Sequence, residues 1–298
     1  MRETITGLSA FPITPSDAEG RVDAEGLRRL LARLVAAEVD SIGLLGSTGT
    51  YAYLSRAERR RAVTIAAEAV GGRMPILVGI GALRTDEAIR LAQDARAAGA
   101  DAGLLALVSY TPLTDEEVFR HFEAVAGAGG LPLVVYDNPG TTHFRFSPAL
   151  IGRIARLPGV VAAKCPAPEP EAAVAGVTAL RDAVPAGFPV GFSGDWNVTE
   201  ALIAGGAAWF SVAGGLFPKT CLAITRAVQI GDTAQARARN AELAPLWALF
   251  QAHSSLRVVY ALAEHLELCR AEPPRPILPL TPEIRDEVVA TVRTLNLA

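Results

Sequence analysis

Lysine is almost missing from this 298-residue chain: of 28 basic residues only Lys164 and Lys219 are lysines, and the rest are arginine. A chain that uses arginine wherever a surface cation will serve has a reason to keep lysine where an amine must lose its proton, because a guanidinium effectively never does. Cysteine is scarce as well. Cys165, Cys221 and Cys269 are odd in number and widely spaced, without the Cys or His pairing of a zinc site, so neither a disulfide framework nor a metal is expected. No stretch approaches the roughly 18 unbroken apolar residues of a membrane helix. The opening Met1-Arg2-Glu3-Thr4-Ile5-Thr6-Gly7 has no apolar signal region, and a cytoplasmic location is expected. A net charge of −3 provides no basic field for nucleic acid or anionic lipid, so the expected partner is a small molecule.

What is present is a large hydrophobic fraction, 50% of the residues against 20% charged, and a repeating order. Short apolar or β-branched runs are expected as strands at 7–12, 41–45, 75–80, 102–108, 131–136, 160–164, 189–192 and 209–213. Helically spaced segments separate them, at 24–37, 56–70, 85–98, 114–126, 147–154 and 171–184. Several strands are apolar throughout, which suits a parallel sheet covered on both faces. Eight such units predict an α/β fold, a (β/α)8 TIM barrel over residues 1–217. A doubly wound sheet would carry a Gly-rich turn after its first strand, where this chain reads Phe11-Pro12-Ile13-Thr14-Pro15. Helical segments at 218–230, 233–251 and 254–268 exceed what a barrel needs, so 218–298 is expected as a C-terminal helical extension packed on the barrel.

Barrel chemistry lies at the C-terminal ends of the strands. Three such ends collect reactive groups: Gly46-Ser47-Thr48-Gly49-Thr50, Tyr136-Asp137-Asn138-Pro139 and Lys164-Cys165-Pro166. Lys164 follows the apolar run Val160-Val161-Ala162-Ala163, where loss of water would favour the neutral amine, a nucleophile for ketones. The alternative is a lysine whose head merely reaches out of the barrel mouth. Tyr136 ends the neighbouring strand, where it would either move protons or cap the core. The Gly-Ser-Thr-Gly segment would offer N–H groups and hydroxyls to an anion, or be a plain turn. Ala213-Gly214-Gly215 raises the rival reading of a phosphate site, which Ser193-Gly194-Asp195-Trp196 suits poorly. A metal-dependent barrel would need clustered ligands, yet His121, His253 and His265 fall outside the expected strand ends and His143 alone lies in a barrel loop. A non-catalytic barrel that binds a 2-oxo acid is the third possibility.

Taken in order, these segments resemble the dihydrodipicolinate synthase and N-acetylneuraminate lyase superfamily, the class I pyruvate-dependent aldolases. Gly46 to Gly49 resembles its Gly-Thr-Thr-Gly carboxylate turn, Tyr136 to Pro139 its Tyr-Asn-x-Pro strand end, and Lys164 its Schiff-base lysine. The resemblance implies a lyase acting on pyruvate or a 3-deoxy-2-oxo sugar acid, with no cofactor and no metal. Lys164, Tyr136, Thr48 and Tyr110 would be catalytic, and Tyr110 would be contributed across a dimer interface. Ser47, Thr48, Gly49 and Phe210 would bind substrate, and the implied assembly is a dimer of dimers. Four positions depart from the pattern. Thr50 and Cys165 stand where acidic residues are common, Ser109 where a tyrosine is, and Thr141 where lysine-pathway members hold the aldehyde's carboxylate with arginine. Condensation of pyruvate with aspartate semialdehyde is therefore the second expectation rather than the first, although Arg145 could substitute from a loop.

Overall fold

The computed structural model describes residues 5–297. Eight parallel strands close on themselves in sequence order: β1 (Gly7–Ala10), β2 (Ser41–Leu44), β3 (Ile76–Gly79), β4 (Ala102–Ala106), β5 (Leu133–Tyr136), β6 (Val160–Pro166), β7 (Val190–Ser193) and β8 (Ala208–Ser211). β8 pairs back onto β1, Gly7 opposite Ala208 through Ala10 opposite Ser211, so no edge is left open.

Two layers of apolar packing result. Alternate residues of the strands face inward, and Phe11, Leu77, Leu104, Val134, Tyr136 and Phe210 belong to a core filling the barrel. The other set meets the surrounding helices in a second, larger core. Strands buried on both faces need apolar residues at every position, which is why their sequences do not alternate.

Most elements fall where expected, with shifts that have local causes. β1 stops before Pro12, which has no N–H for the ladder. β6 runs two residues past Lys164 to Pro166, so the lysine lies within the strand rather than at its end. The segment expected as one helix over 233–251 is two, Thr233–Glu242 and Ala244–His253, because Pro245 has no N–H to continue the first helix and opens the second instead. A last helix, Pro282–Thr294, was not foreseen. The helix Asp115–Ala128 begins at a reciprocal capping box between Thr114 and Glu117.

The helix Pro218–Gln229 packs on β1 and on the helix Val198–Ile203, the place of an eighth ring helix. We therefore infer that the barrel unit includes this helix and that the extension begins near Thr233, later than the expected boundary at 217/218. No helix among the described residues is long and apolar enough to cross a membrane.

Candidate active site

Strand register puts Tyr136 of β5 directly opposite Lys164 of β6. Lys164 points into the barrel and is 4% exposed. Its Nζ lies 3.7 Å from the ring centroid of Phe11, 4.2 Å from that of Tyr136 and 5.5 Å from that of Phe210. Phe11 and Phe210 pack edge to face, 6.0 Å apart at 78°. Two glycines make room for this pair. A Cβ on Gly43 would sit 2.1 Å from Phe11 Cζ, and one on Gly191 2.6 Å from Phe210 Cε2. The aromatic cage is therefore built from strand glycines whose missing side chains are replaced by rings from other strands.

Enclosed this way the ammonium loses its hydration, and burial lowers the Lys164 pKa to about 7, opposed by the negative field of Asp195. Asp195, 2% exposed, accepts hydrogen bonds from Trp209 Nε1 at 2.8 Å and from the backbone N–H of Ala213 at 2.7 Å. It thereby ties the loop after β7 to β8 and to the turn beyond it. Burial raises its pKa, while those donors and Lys164 pull it down.

The Tyr136 hydroxyl shares a 3.0 Å hydrogen bond with Ser47 Oγ and accepts one from Asn138 Nδ2 at 2.9 Å. Burial raises its pKa, and both bonds oppose the rise. A phenol wired to hydroxyls beside an amine of near-neutral pKa can give and take protons as a ketone condenses with that amine. The turn carrying Ser47 is tightly wound. Leu45 and Thr50 both adopt positive φ, and a Cβ on Gly49 would come within 2.9 Å of Leu45 Cα, so only glycine fits there.

Lys164, Tyr136, Ser47 and Phe210 come together, with buried Thr48 and Gly49 in the adjoining turn. Tyr110 does not join them within one chain. It is 96% exposed on the loop after β4. Lys219 is exposed at a helix start, without such an enclosure. Among the departures, Cys165 is buried in the outer core, on the face of β6 opposite Lys164, where burial pushes its thiol up. Its replacement of an acidic residue therefore leaves the pocket untouched. Arg145 does not reach the pocket either: its charge acts on Asp137, whose pKa burial raises to about 6. Phe11 and Asn138 were missed as site residues. Phe11 occupies a strand end just before a proline, a positional signal that was available; nothing local marked Asn138.

At the barrel mouth, beyond the Ser47 hydroxyl that bonds to Tyr136, lies a cleft of about 390 Å3, lined by Ser47, Thr48, Thr50, Tyr51, Ser109, Thr141, Thr142 and His143 from barrel loops. Ser254, Ser255, Leu256 and Ile277 of the C-terminal extension complete its wall, which no barrel motif announces. No acidic residue, lysine or arginine lines it. A larger depression of about 710 Å3 lies at the opposite end, by the starts of β2 and β3, away from these groups. Among the described residues there is no group of three His, Cys, Asp or Glu side chains able to hold a metal.

Comparison with known proteins shows the family. The chain is 36% identical over 261 residues to a 4-hydroxy-tetrahydrodipicolinate synthase of Methylococcus capsulatus, covering 87% of this chain and 88% of the relative. It is 34% identical to one of Albidiferax ferrireducens, covering 93% and 92%. Among solved structures it resembles a dihydrodipicolinate synthase from Agrobacterium tumefaciens, with 53% identity, a TM-score of 0.95 and 98% of each chain covered. It also resembles a chloride-inhibited dihydrodipicolinate synthase from Acinetobacter baumannii complexed with pyruvate, with 28% identity, a TM-score of 0.91 and coverage of 99% and 100%. Matched from residue 4 to residue 295, this chain belongs to the dihydrodipicolinate synthetase family, enzymes of the lysine Schiff-base, pyruvate-dependent class.

Proposed function

We propose that this protein is a lyase that forms a Schiff base between Lys164 and the C2 carbonyl of pyruvate or a longer 2-oxo acid carrying hydroxyls beyond C3. The observation that carries this reading is the Lys164 amine, stripped of water among three rings, one of them the ring of Tyr136. The neutral amine adds to C2 to give a carbinolamine, and Tyr136 delivers the proton with which the hydroxyl leaves as water. The resulting iminium is an electron sink. Breaking a bond at C3 sends its electron pair into the enamine, and the reverse makes the bond. Ser47 and Thr48, with the N–H groups of their turn, hold the carboxylate, and Phe210 walls the reacting carbon.

Borohydride reduction in the presence of pyruvate tests this. One reduced pyruvyl group is expected on the Lys164 peptide, and none in Lys164→Ala. Labelling at Lys219 would overturn the assignment.

For the second substrate, a neutral cleft rich in hydroxyl groups favours an uncharged, hydroxylated chain. A charge-assisted hydrogen bond to a carboxylate contributes roughly 1.5–3 kcal/mol, and Thr141 does not supply it. The names of the relatives favour the other reading, condensation with aspartate semialdehyde. A panel of aldehydes compared by kcat/KM decides between them: tenfold superiority of aspartate semialdehyde over every other aldehyde would establish the second.

The reading includes a homo-oligomer, a dimer of dimers. It is supported by Tyr53, Leu83 and Tyr110, large hydrophobic side chains 46%, 63% and 96% exposed on the loops after β2, β3 and β4. A second copy seated there would cover them and bring its Tyr110 toward the Tyr136 hydroxyl. A cytoplasmic setting is supported by three buried, unpaired cysteines.

A further inference from the structure

Among the described residues seven non-glycine residues have positive φ, and three of them, Thr50, His143 and Ser254, line the cleft that Ser47 and Thr48 also line. Glu38, Glu267 and Asn296 follow the ends of helices, where such a conformation ordinarily satisfies the last carbonyls. Ser254 is different. At φ 70 and ψ 124 it lies between two helices, outside even the left-handed helical region, and it carries a side chain where glycine would be relaxed. His143 closes a single helical turn, Pro139–Thr142, at φ 60 and ψ 9, its N–H returning to Pro139 O as at the other helix ends. Both residues are exposed at the cleft, and neither the His143 imidazole nor the Ser254 hydroxyl has a hydrogen-bond partner among the described residues. An outlying backbone at Ser254, which caps no helix end with a hydrogen bond, set at the rim of a cavity that also holds an imidazole with no partner among the described residues, is the kind of position held for a ligand.

We propose that His143, from the loop after β5, and Ser254, from the C-terminal extension, form a distal subsite that reads hydroxyl groups on the tail of the second substrate. This rests on Lys164 holding the 2-oxo acid at the barrel end of the cleft. Ser47 and Thr48 line the same cleft as these two residues, so a chain attached at C3 of a 2-oxo acid held by Ser47 and Thr48 has both groups in the cavity it enters. Both offer neutral hydrogen-bonding groups suited to a hydroxylated, uncharged chain rather than to a second carboxylate. Because one of them belongs to the extension, substrate choice is shared between the barrel and the helices added to it.

The experiment compares kcat/KM for condensation of pyruvate with glyceraldehyde and with propanal in the wild-type protein, His143→Gly, Ser254→Ala and Ser254→Gly. The wild-type enzyme is expected to prefer glyceraldehyde by at least tenfold. Each substitution is expected to lower that preference by about three- to tenfold, as for a lost neutral hydrogen bond, with the propanal rate retained. The two glycine variants should also melt at or above the wild-type temperature, since glycine relaxes both conformations; that outcome separates substrate reading from folding. Equal loss with both aldehydes, an unchanged ratio, or no wild-type preference would overturn the subsite while pyruvate trapping at Lys164 still succeeds. Failure of trapping would instead remove the Schiff-base reading beneath it.

Discussion

Lys164 holds its amine in a setting that costs stability. An amine of pKa about 7 in the folded chain and 10.5 unfolded binds fewer protons when folded throughout that window, so the wild-type protein gains stability as pH rises from 7 toward 10.5. Lys164→Met, of similar length and without charge, should therefore be inactive yet melt at a higher temperature at pH 7, with the difference shrinking toward pH 10; thermal unfolding across that range checks it. The same pKa sets the chemistry: the rate of imine formation should rise with pH through about 7, as the neutral amine becomes populated, in a stopped-flow measurement with pyruvate. Tyr136→Phe keeps the ring beside Nζ but removes the hydroxyl shared with Ser47 and Asn138. Imine formation should slow by roughly 10²- to 10⁴-fold, the range of a lost acid–base group, with an unchanged circular dichroism spectrum.

At the scale of elements, the glycines of β2 and β7 shape the site as much as the residues that touch substrate. Gly43→Ala would push its Cβ into the Phe11 ring, which already packs against the Lys164 amine and Phe210. Overpacking of this kind costs roughly 1–3 kcal/mol. It is expected to lower the melting temperature and, because Phe11 moves toward Nζ, to slow pyruvate trapping as well; a stability loss with unchanged trapping kinetics would show that the ring yields elsewhere. Strand positions were legible from their continuous apolar runs, but this role of Gly43 was not. Nothing local tells which ring from another strand will fill the gap a glycine leaves. Helix limits were readable where Thr114 or Pro245 supplies a chemical start signal, and less so in the extension, whose final helix, Pro282–Thr294, follows a proline-rich segment.

For the whole molecule, the exposed Tyr110 is the feature that a single chain leaves unexplained. If a partner's Tyr110 completes the proton relay, Tyr110→Ala and Lys164→Ala proteins should each be nearly inactive. Mixing them, with subunits exchanged by mild denaturation and refolding, should restore a fraction of the activity, because some sites then combine an intact Lys164 with an intact Tyr110 from the neighbour. Absence of any recovery in exchanged samples, verified as hybrids by native mass spectrometry, would place Tyr110 outside the relay.

The residues by themselves determined the barrel, through eight apolar runs too uniform to be half-exposed strands. They also singled out Lys164, through the scarcity of lysine and its place among water-excluding neighbours, with Tyr136 one strand away. Only the tertiary structure decided that Phe11, Asn138 and Asp195 surround them, that Cys165 faces away, and that Ser254 and Ile277 wall the cleft. Strand membership and burial follow from local pattern, because each residue's own side chain carries that information. Which side chains meet across a closed barrel depends on register and on the return of the chain after β8, and both are set by packing summed over the whole molecule.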